Sequence, residues 1–220
     1  MSRRENRERR CARCRLHETL CVCTLIPRIE THTRLMIFVH RRELRKPTNT
    51  GWLASLCLPN SEVVVLGDAA QRVAVFRPDP GRLPLLLFPY EGATSLADLS
   101  IPDLPVTLIV PDGNWRQASK ARQRIAGLRD LTCVSLPNGR PSRYRLRSET
   151  HPHGLATLEA IARAMGIVEG EHVQRALERI FDLMVGRTLW SRGALDAGDV
   201  PGGIPEGVLR HDPRIQMLRV

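Results

Sequence analysis

Five short apolar runs recur along the chain: 34–40 (RLMIFVH), 62–67 (EVVVLG), 83–89 (LPLLLFP), 106–111 (VTLIVP) and 131–137 (LTCVSLP). Their length and near-continuous Val, Leu and Ile content predict strands buried on both faces. Between and after them the apolar spacing becomes helical. A short helix is predicted over 51–58. Trp115, Ala118, Ala121, Ile125 and Leu128 mark a second, Leu155, Leu158, Ile161 and Met165 a third, and 171–190 the longest. Strands alternating with helices predict an α/β domain, residues 31–192, with a mainly parallel sheet. Such sheets bind ligands beyond the carboxyl ends of their strands, where Pro89, Asp112 and Pro137 stand. The Gly- and Pro-rich stretch 193–220 is expected to be extended and packed on the domain.

Charge adds a partner to this picture. The formal net charge is +10, and 31 of the 33 basic residues are Arg. Residues 1–50 carry 13 basic and 5 acidic side chains, residues 116–147 carry 9 and 1, and the remainder is net acidic. Two concentrated positive regions fit a polyanion; the plainer alternative is a solvated Arg-rich face. Aromatic residues are scarce, so any stacking on a base rests on one or two rings, with Trp115 the candidate. No apolar run approaches the ~20 residues that span a bilayer. The polar, basic start MSRRENRERR is no secretory signal, so no membrane partner and a cytoplasmic location are expected.

Four of six cysteines crowd into CARCRLHETLCVC: Cys11, Cys14, Cys21 and Cys23. The close pairs can each turn two sulfurs toward one ion, and four thiolates suit a closed tetrahedral zinc site. Residues 1–30 are therefore expected to form a zinc segment with a structural role, since a full sulfur shell leaves no position for substrate. Reduced thiols, or His17 replacing one sulfur, are the alternatives. Cys57 and Cys133 lie in apolar runs and read as core.

The stretch PDGNWRQASK (111–120) carries the candidate chemistry. An acid, an amide and a ring follow a strand directly. Arg116, Lys120 and Arg124, spaced i, i+4 and i+8, would form one basic stripe on the following helix, suited to phosphates. Asp112 can take a proton from a weakly acidic N–H, and Asn114 can bond a base edge. Alternatively Asp112 caps the helix and Trp115 is core. Asn49 and Thr50, before Gly51, can likewise cap the helix there or face a substrate anion. No strand is followed by G-x-G-x-x-G, and no G-x-x-x-x-G-K-[ST] occurs.

DGNWRQASK resembles the signature of the DTW-domain family, usually Asp-Gly-Thr-Trp followed by Arg-Gln-Ala. CARCRLHETLCVC resembles that family's N-terminal Cys motif. HRRELRKPTNTG (40–51) resembles its His-Pro-x-Glu-x-x-Lys-x-x-Asn-Thr-Gly segment, and LLLFP, YRLR and LATLEAIA follow in order. Asn114 stands in place of the signature Thr, and Arg41 in place of the Pro after His40.

The resemblance implies a tRNA-uridine aminocarboxypropyltransferase with S-adenosylmethionine as donor and tRNA as partner, in a SPOUT-like fold with a C-terminal knot. Whether it would act as monomer or homodimer is left open. The knot would involve strand 131–136, loop 137–153 and helix 154–166. The cofactor would lie against the loops after Phe88, Val110 and Leu136, near Pro89, Leu136, Arg147 and Thr157. Its carboxylate would be met by Arg145 or Arg147, or by amides before Thr157. Asp112, Asn114 and Trp115 would be catalytic, and Lys46, Asn49, Thr50, Arg116, Lys120, Arg124 and Arg145 would contact RNA. A SPOUT-type RNA methyltransferase and a non-catalytic zinc-containing RNA-binding protein are the alternatives.

Overall fold

A computed structural model describes residues 9–67, 74–147 and 154–210. Its centre is a six-stranded, all-parallel sheet in the order β2-β1-β5-β3-β6-β4. The strands are β1 (Arg34–His40), β2 (Ser61–Leu66), β3 (Leu83–Leu87), β4 (Thr94–Ser95), β5 (Val106–Asp112) and β6 (Thr132–Ser135). Five are the predicted runs, trimmed or extended at their ends. The two-residue β4 is too short to leave an apolar run.

Alternate strand residues divide between two cores, as the two-residue period of a strand requires. Leu35, Ile37, Val39, Leu85, Leu108 and Val110 face one side. There they meet α2 (Thr50–Cys57), α5 (Thr157–Val168) and the long α6 (Glu171–Ser191). Met36, Phe38, Leu86 and Ile109 face the other side, against Phe76, Ala121, Ile125 and Leu128. Gly127 has φ +87°, and a Cβ there would meet the Phe76 carbonyl oxygen at 2.1 Å, so only glycine lets the 74–76 segment lie alongside.

The single helix expected over 115–128 is instead two short ones, α3 (Trp115–Ala118) and α4 (Ala121–Arg124). Tyr90 is the cause. Its hydroxyl donates to the Ala118 carbonyl at 3.2 Å and accepts from the Arg122 amide at 3.3 Å. A side chain thus occupies the i to i−4 bond that a continuous helix would make. Lys120 falls between the two helices, so Arg116, Lys120 and Arg124 do not form one helical stripe.

The N-terminal segment joins the main core through Leu16, Leu20 and Val22. In the tail after α6, Val200 and Pro201 lie against Gly186, where a Cβ would meet Pro201 at 2.9 Å. The expected knot passes through residues 148–153, and the zinc segment and tail include 1–8 and 211–220; these lie outside the described residues. No helix among the described residues is long and apolar enough to cross a membrane.

Candidate active site

The carboxyl ends of β3, β5 and β6 open into a cavity of about 860 Å³, closed on one side by the N-termini of α2 and α5. Asp112 ends β5 in its wall and is only 7% exposed. The Asn49 side-chain amide donates to its Oδ2 at 2.7 Å, and the Thr157 hydroxyl to its Oδ1 at 2.6 Å. Gly51 makes this approach possible: a Cβ there would stand 2.8 Å from Asp112 Oδ2. Burial raises the Asp112 carboxyl above its ordinary value, against the pull of the Thr157 and Asn49 hydrogen bonds.

Asp112 does not cap the following helix. Asn114 does: its Oδ1 accepts from the Gln117 amide at 2.9 Å, and Gln117 Oε1 accepts from the Asn114 amide at 3.0 Å. Asn49 has two tasks, since its Oδ1 accepts from Trp52 N at 2.6 Å and caps α2. Thr50 Oγ1 accepts from the Leu158 amide at 3.3 Å, tying the starts of α2 and α5 together. The amides before Thr157 are similarly engaged, Ala156 N–H donating to Glu159 at 2.9 Å. Trp115 is half-buried in the wall, its ring centroid 5.1 Å from that of Phe88, which in turn lies 4.6 Å from that of Tyr90.

Beside Asp112 lies a second polar cluster, of which sequence reasoning assigned Lys46 and Arg147 but not Glu43, Thr48 or Tyr144. Glu43, 6% exposed, pairs with Lys46 and accepts from Arg147 at 3.0 Å. Burial works to raise the Glu43 carboxyl, but these two cations outweigh it and hold the group below its ordinary value. Arg147 also donates to Thr48 Oγ1 at 3.2 Å, and the Tyr144 hydroxyl donates to the Thr48 carbonyl at 2.9 Å. The Glu43–Lys46 i, i+3 spacing was the available signal. Glu159 fastens the loop after β6 to α5 by accepting from Ser142 Oγ at 2.5 Å and Arg143 N at 2.7 Å.

The cavity thus brings together Asn49, Thr50, Pro89, Asp112, Asn114, Trp115, Leu136, Arg147 and Thr157. Lys46, Arg116, Lys120, Arg124 and Arg145 are not in its wall; Glu43, Tyr144 and Arg163 are further wall residues.

In the N-terminal segment, the sulfurs of Cys11, Cys14, Cys21 and Cys23 all lie within 4.8 Å of one another, and the four could hold a metal ion. Cys11 and Cys23 are 3.5 Å apart, Cys14 and Cys21 3.8 Å. Burial works to raise the Cys11 thiol, but hydrogen bonds from the Cys14 and Arg13 backbone and neighbouring thiols bring it to about 6. The segment grips α2 through Trp52, whose Nε1–H donates to the Arg13 carbonyl at 2.8 Å while the Arg15 guanidinium lies 3.8 Å from its ring centroid. Arg187 donates to the Cys21 carbonyl at 2.6 Å from the other side.

Curated relatives include proteins named tRNA-uridine aminocarboxypropyltransferase 2. That of Macaca fascicularis is 30% identical over 181 residues, covering 77% of this chain and 60% of that protein. The Mus musculus protein is 31% identical over 188 residues, covering 80% and 62%. The Drosophila melanogaster protein is 25% identical over 171 residues, covering 74% and 68%. The chain therefore spans about three fifths of the length of the first two. No solved structure gives a significant match. The model of the DTW domain matches residues 8–189, from just before the first cysteine pair to near the end of α6, and the chain belongs to the DTW-domain family.

Proposed function

We propose that this protein transfers the 3-amino-3-carboxypropyl group of S-adenosylmethionine to N3 of a uridine in tRNA. The observation that carries the reading is a buried carboxylate of raised pKa, Asp112, in the wall of a cavity at the carboxyl edge of a parallel sheet. The names of the relatives supply the reaction and the tRNA substrate.

The cavity fits the donor. Its volume suits a ligand of nucleoside size, and its wall combines Leu87, Val110 and Leu136 with polar groups at Asp112, Arg147 and Thr157. Bound against the loops after Phe88, Val110 and Leu136, S-adenosylmethionine supplies the carbon that N3 attacks, its C–S bond breaking to leave 5′-methylthioadenosine. Asp112 accepts the N3 proton, because N3 is a poor nucleophile until that proton leaves. A carboxyl raised by burial is a stronger base than an ordinary aspartate, and Asn49 and Thr157 hold its oxygens in place. Trp115, braced by Phe88, provides a flat face for the base or the adenine. Arg140, Arg147 and Arg163 are the cations in the wall for the donor's carboxylate.

The four-cysteine cluster serves as a structural zinc site. Sulfurs about 2.3 Å from a tetrahedral ion lie about 3.8 Å from each other, and the closest pairs here match that spacing. Cys11, Cys14, Cys21 and Cys23 would hold the ion, with Arg187 offsetting the negative charge of four thiolates. Incubation with donor and tRNA, followed by nucleoside mass spectrometry, tests the reading. A mass gain for aminocarboxypropyl on uridine supports it; methylated uridine would move the protein to methyl transfer.

A further inference from the structure

The basic residues divide differently in the fold than along the sequence. Lys46 and Arg147 are both engaged by Glu43 and carry little free charge outward. At the amino edge of the sheet, Arg34 pairs with Glu62, and Arg82 donates to the carbonyls of His32 and Val106. The carboxyl edge is different. The four-residue helix α1 (Arg41–Leu44) starts directly at the end of β1, and Val39 of β1 is in register with Asp112. Its inward residue, Glu43, lines the cavity, while Arg41, Arg42 and Arg45 are exposed. Among the described residues these three have no acidic partner. Among the described residues, the exposed acids that follow strands at this edge, Glu91 and Asp98, come after β3 and β4, on the other side of β5 from α1.

We infer that Arg41, Arg42 and Arg45 form the phosphate-docking surface for the RNA, laying its backbone along the rim of the cavity that holds Asp112. The inference rests on the tRNA reading above and deepens it by naming the surface. Three exposed guanidiniums on one short turn, with no ion pair to the described residues, match the spaced negative charges of a nucleic-acid backbone. Arg41, which replaces the Pro of the family segment, adds a charge that a Pro there would not carry. The three are outside the cavity wall, so they set affinity and register, not the chemistry.

The test is tRNA binding against salt for the full chain, with three triple variants. Arg41→Gln/Arg42→Gln/Arg45→Gln removes the surface. Arg28→Gln/Arg34→Gln/Arg175→Gln makes the same change of charge at arginines already paired with Glu30, Glu62 and Glu171. Arg41→Lys/Arg42→Lys/Arg45→Lys keeps the charge and controls for folding. Every phosphate that a variant leaves unneutralised lowers the slope of log affinity against log salt by about 0.7–0.9. The Gln triple at α1 should lower the slope by about 2.1–2.7, so that the fall in affinity between about 50 and 200 mM salt shrinks roughly 20- to 40-fold. The control triple should keep the wild-type slope, the Lys triple should stay close to it, and S-adenosylmethionine binding should be unchanged in all. Equal slopes for wild type and the Gln triple at α1, or equal reductions in it and the control triple, overturn the docking surface. A wild-type protein that binds tRNA with the expected slopes but yields no modified uridine overturns the transfer reading and leaves the surface standing.

Discussion

At the scale of single residues, Asp112 decides most. Asp112→Asn can be accommodated: its retained oxygen accepts from Asn49, and its new amide donates to Thr157 Oγ1, whose hydroxyl can turn. The variant cannot accept the N3 proton, so single-turnover transfer should fall about 10²-fold or more. Raising the pH should recover part of the activity, as hydroxide replaces the base. Stability should move the other way. Because the folded pKa of Asp112 is raised, its contribution to stability is full below the unfolded value and is lost as pH rises through the folded value. The melting temperature of Asp112→Asn should therefore gain on wild type as pH rises across that window, then level off. A variant that turns over normally would reduce Asp112 to a structural tie between α2 and α5. Gly51→Ala is the complementary probe. Its Cβ would press on Asp112 Oδ2 at 2.8 Å and Thr157 Cγ2 at 3.3 Å. Overpacking of this kind costs about 1–3 kcal/mol, and the displaced carboxylate should lower turnover beyond what melting curves explain. Normal turnover in a destabilised Gly51→Ala would separate the carboxylate's position from the chemistry.

At the scale of elements, α2 links the cysteine segment to the active site. Trp52 meets the segment from the first turn of this eight-residue helix, and Asn49, which caps that same turn, holds Asp112. One zinc per chain is expected by metal analysis. Serine at Cys11, Cys14, Cys21 or Cys23 should lower that content and destabilise the segment. Zinc removal by chelation should also cut transfer, because the segment then no longer holds Trp52 and the orientation of α2 is released. Fully folded, active protein without metal would contradict the site. The sequence disclosed five strands because each is a continuous apolar run, and three helices because their apolar spacing is regular. It could not disclose the break between α3 and α4, which depends on the hydroxyl of Tyr90, 28 residues from Ala118.

At the scale of the whole molecule, the sheet gathers what the chain disperses. Asp112 is 63 residues from Asn49 and 45 from Thr157. The residue types that could serve were legible along the chain: the acid at a strand end, the four cysteines, the Asn-Thr-Gly that opens α2. Their partnerships were not, because hydrogen bonds from a strand end to distant helix N-termini leave no local pattern. For the same reason regular spacing grouped Arg116, Lys120 and Arg124 on one helix, which the structure divides in two, while the three arginines of α1 left no such spacing to notice. Arg116→Ala and Lys120→Ala should still weaken tRNA binding through general charge, with donor binding nearly unchanged, by direct titration of each ligand.

The most direct measurement is a reaction of purified protein with S-adenosylmethionine and total tRNA, in which the nucleosides and the small by-product are identified together by mass spectrometry. Aminocarboxypropyl-uridine with equimolar 5′-methylthioadenosine, both strongly reduced in Asp112→Asn, is the expected result. S-adenosylhomocysteine with methylated tRNA, or donor binding without either product, would contradict it.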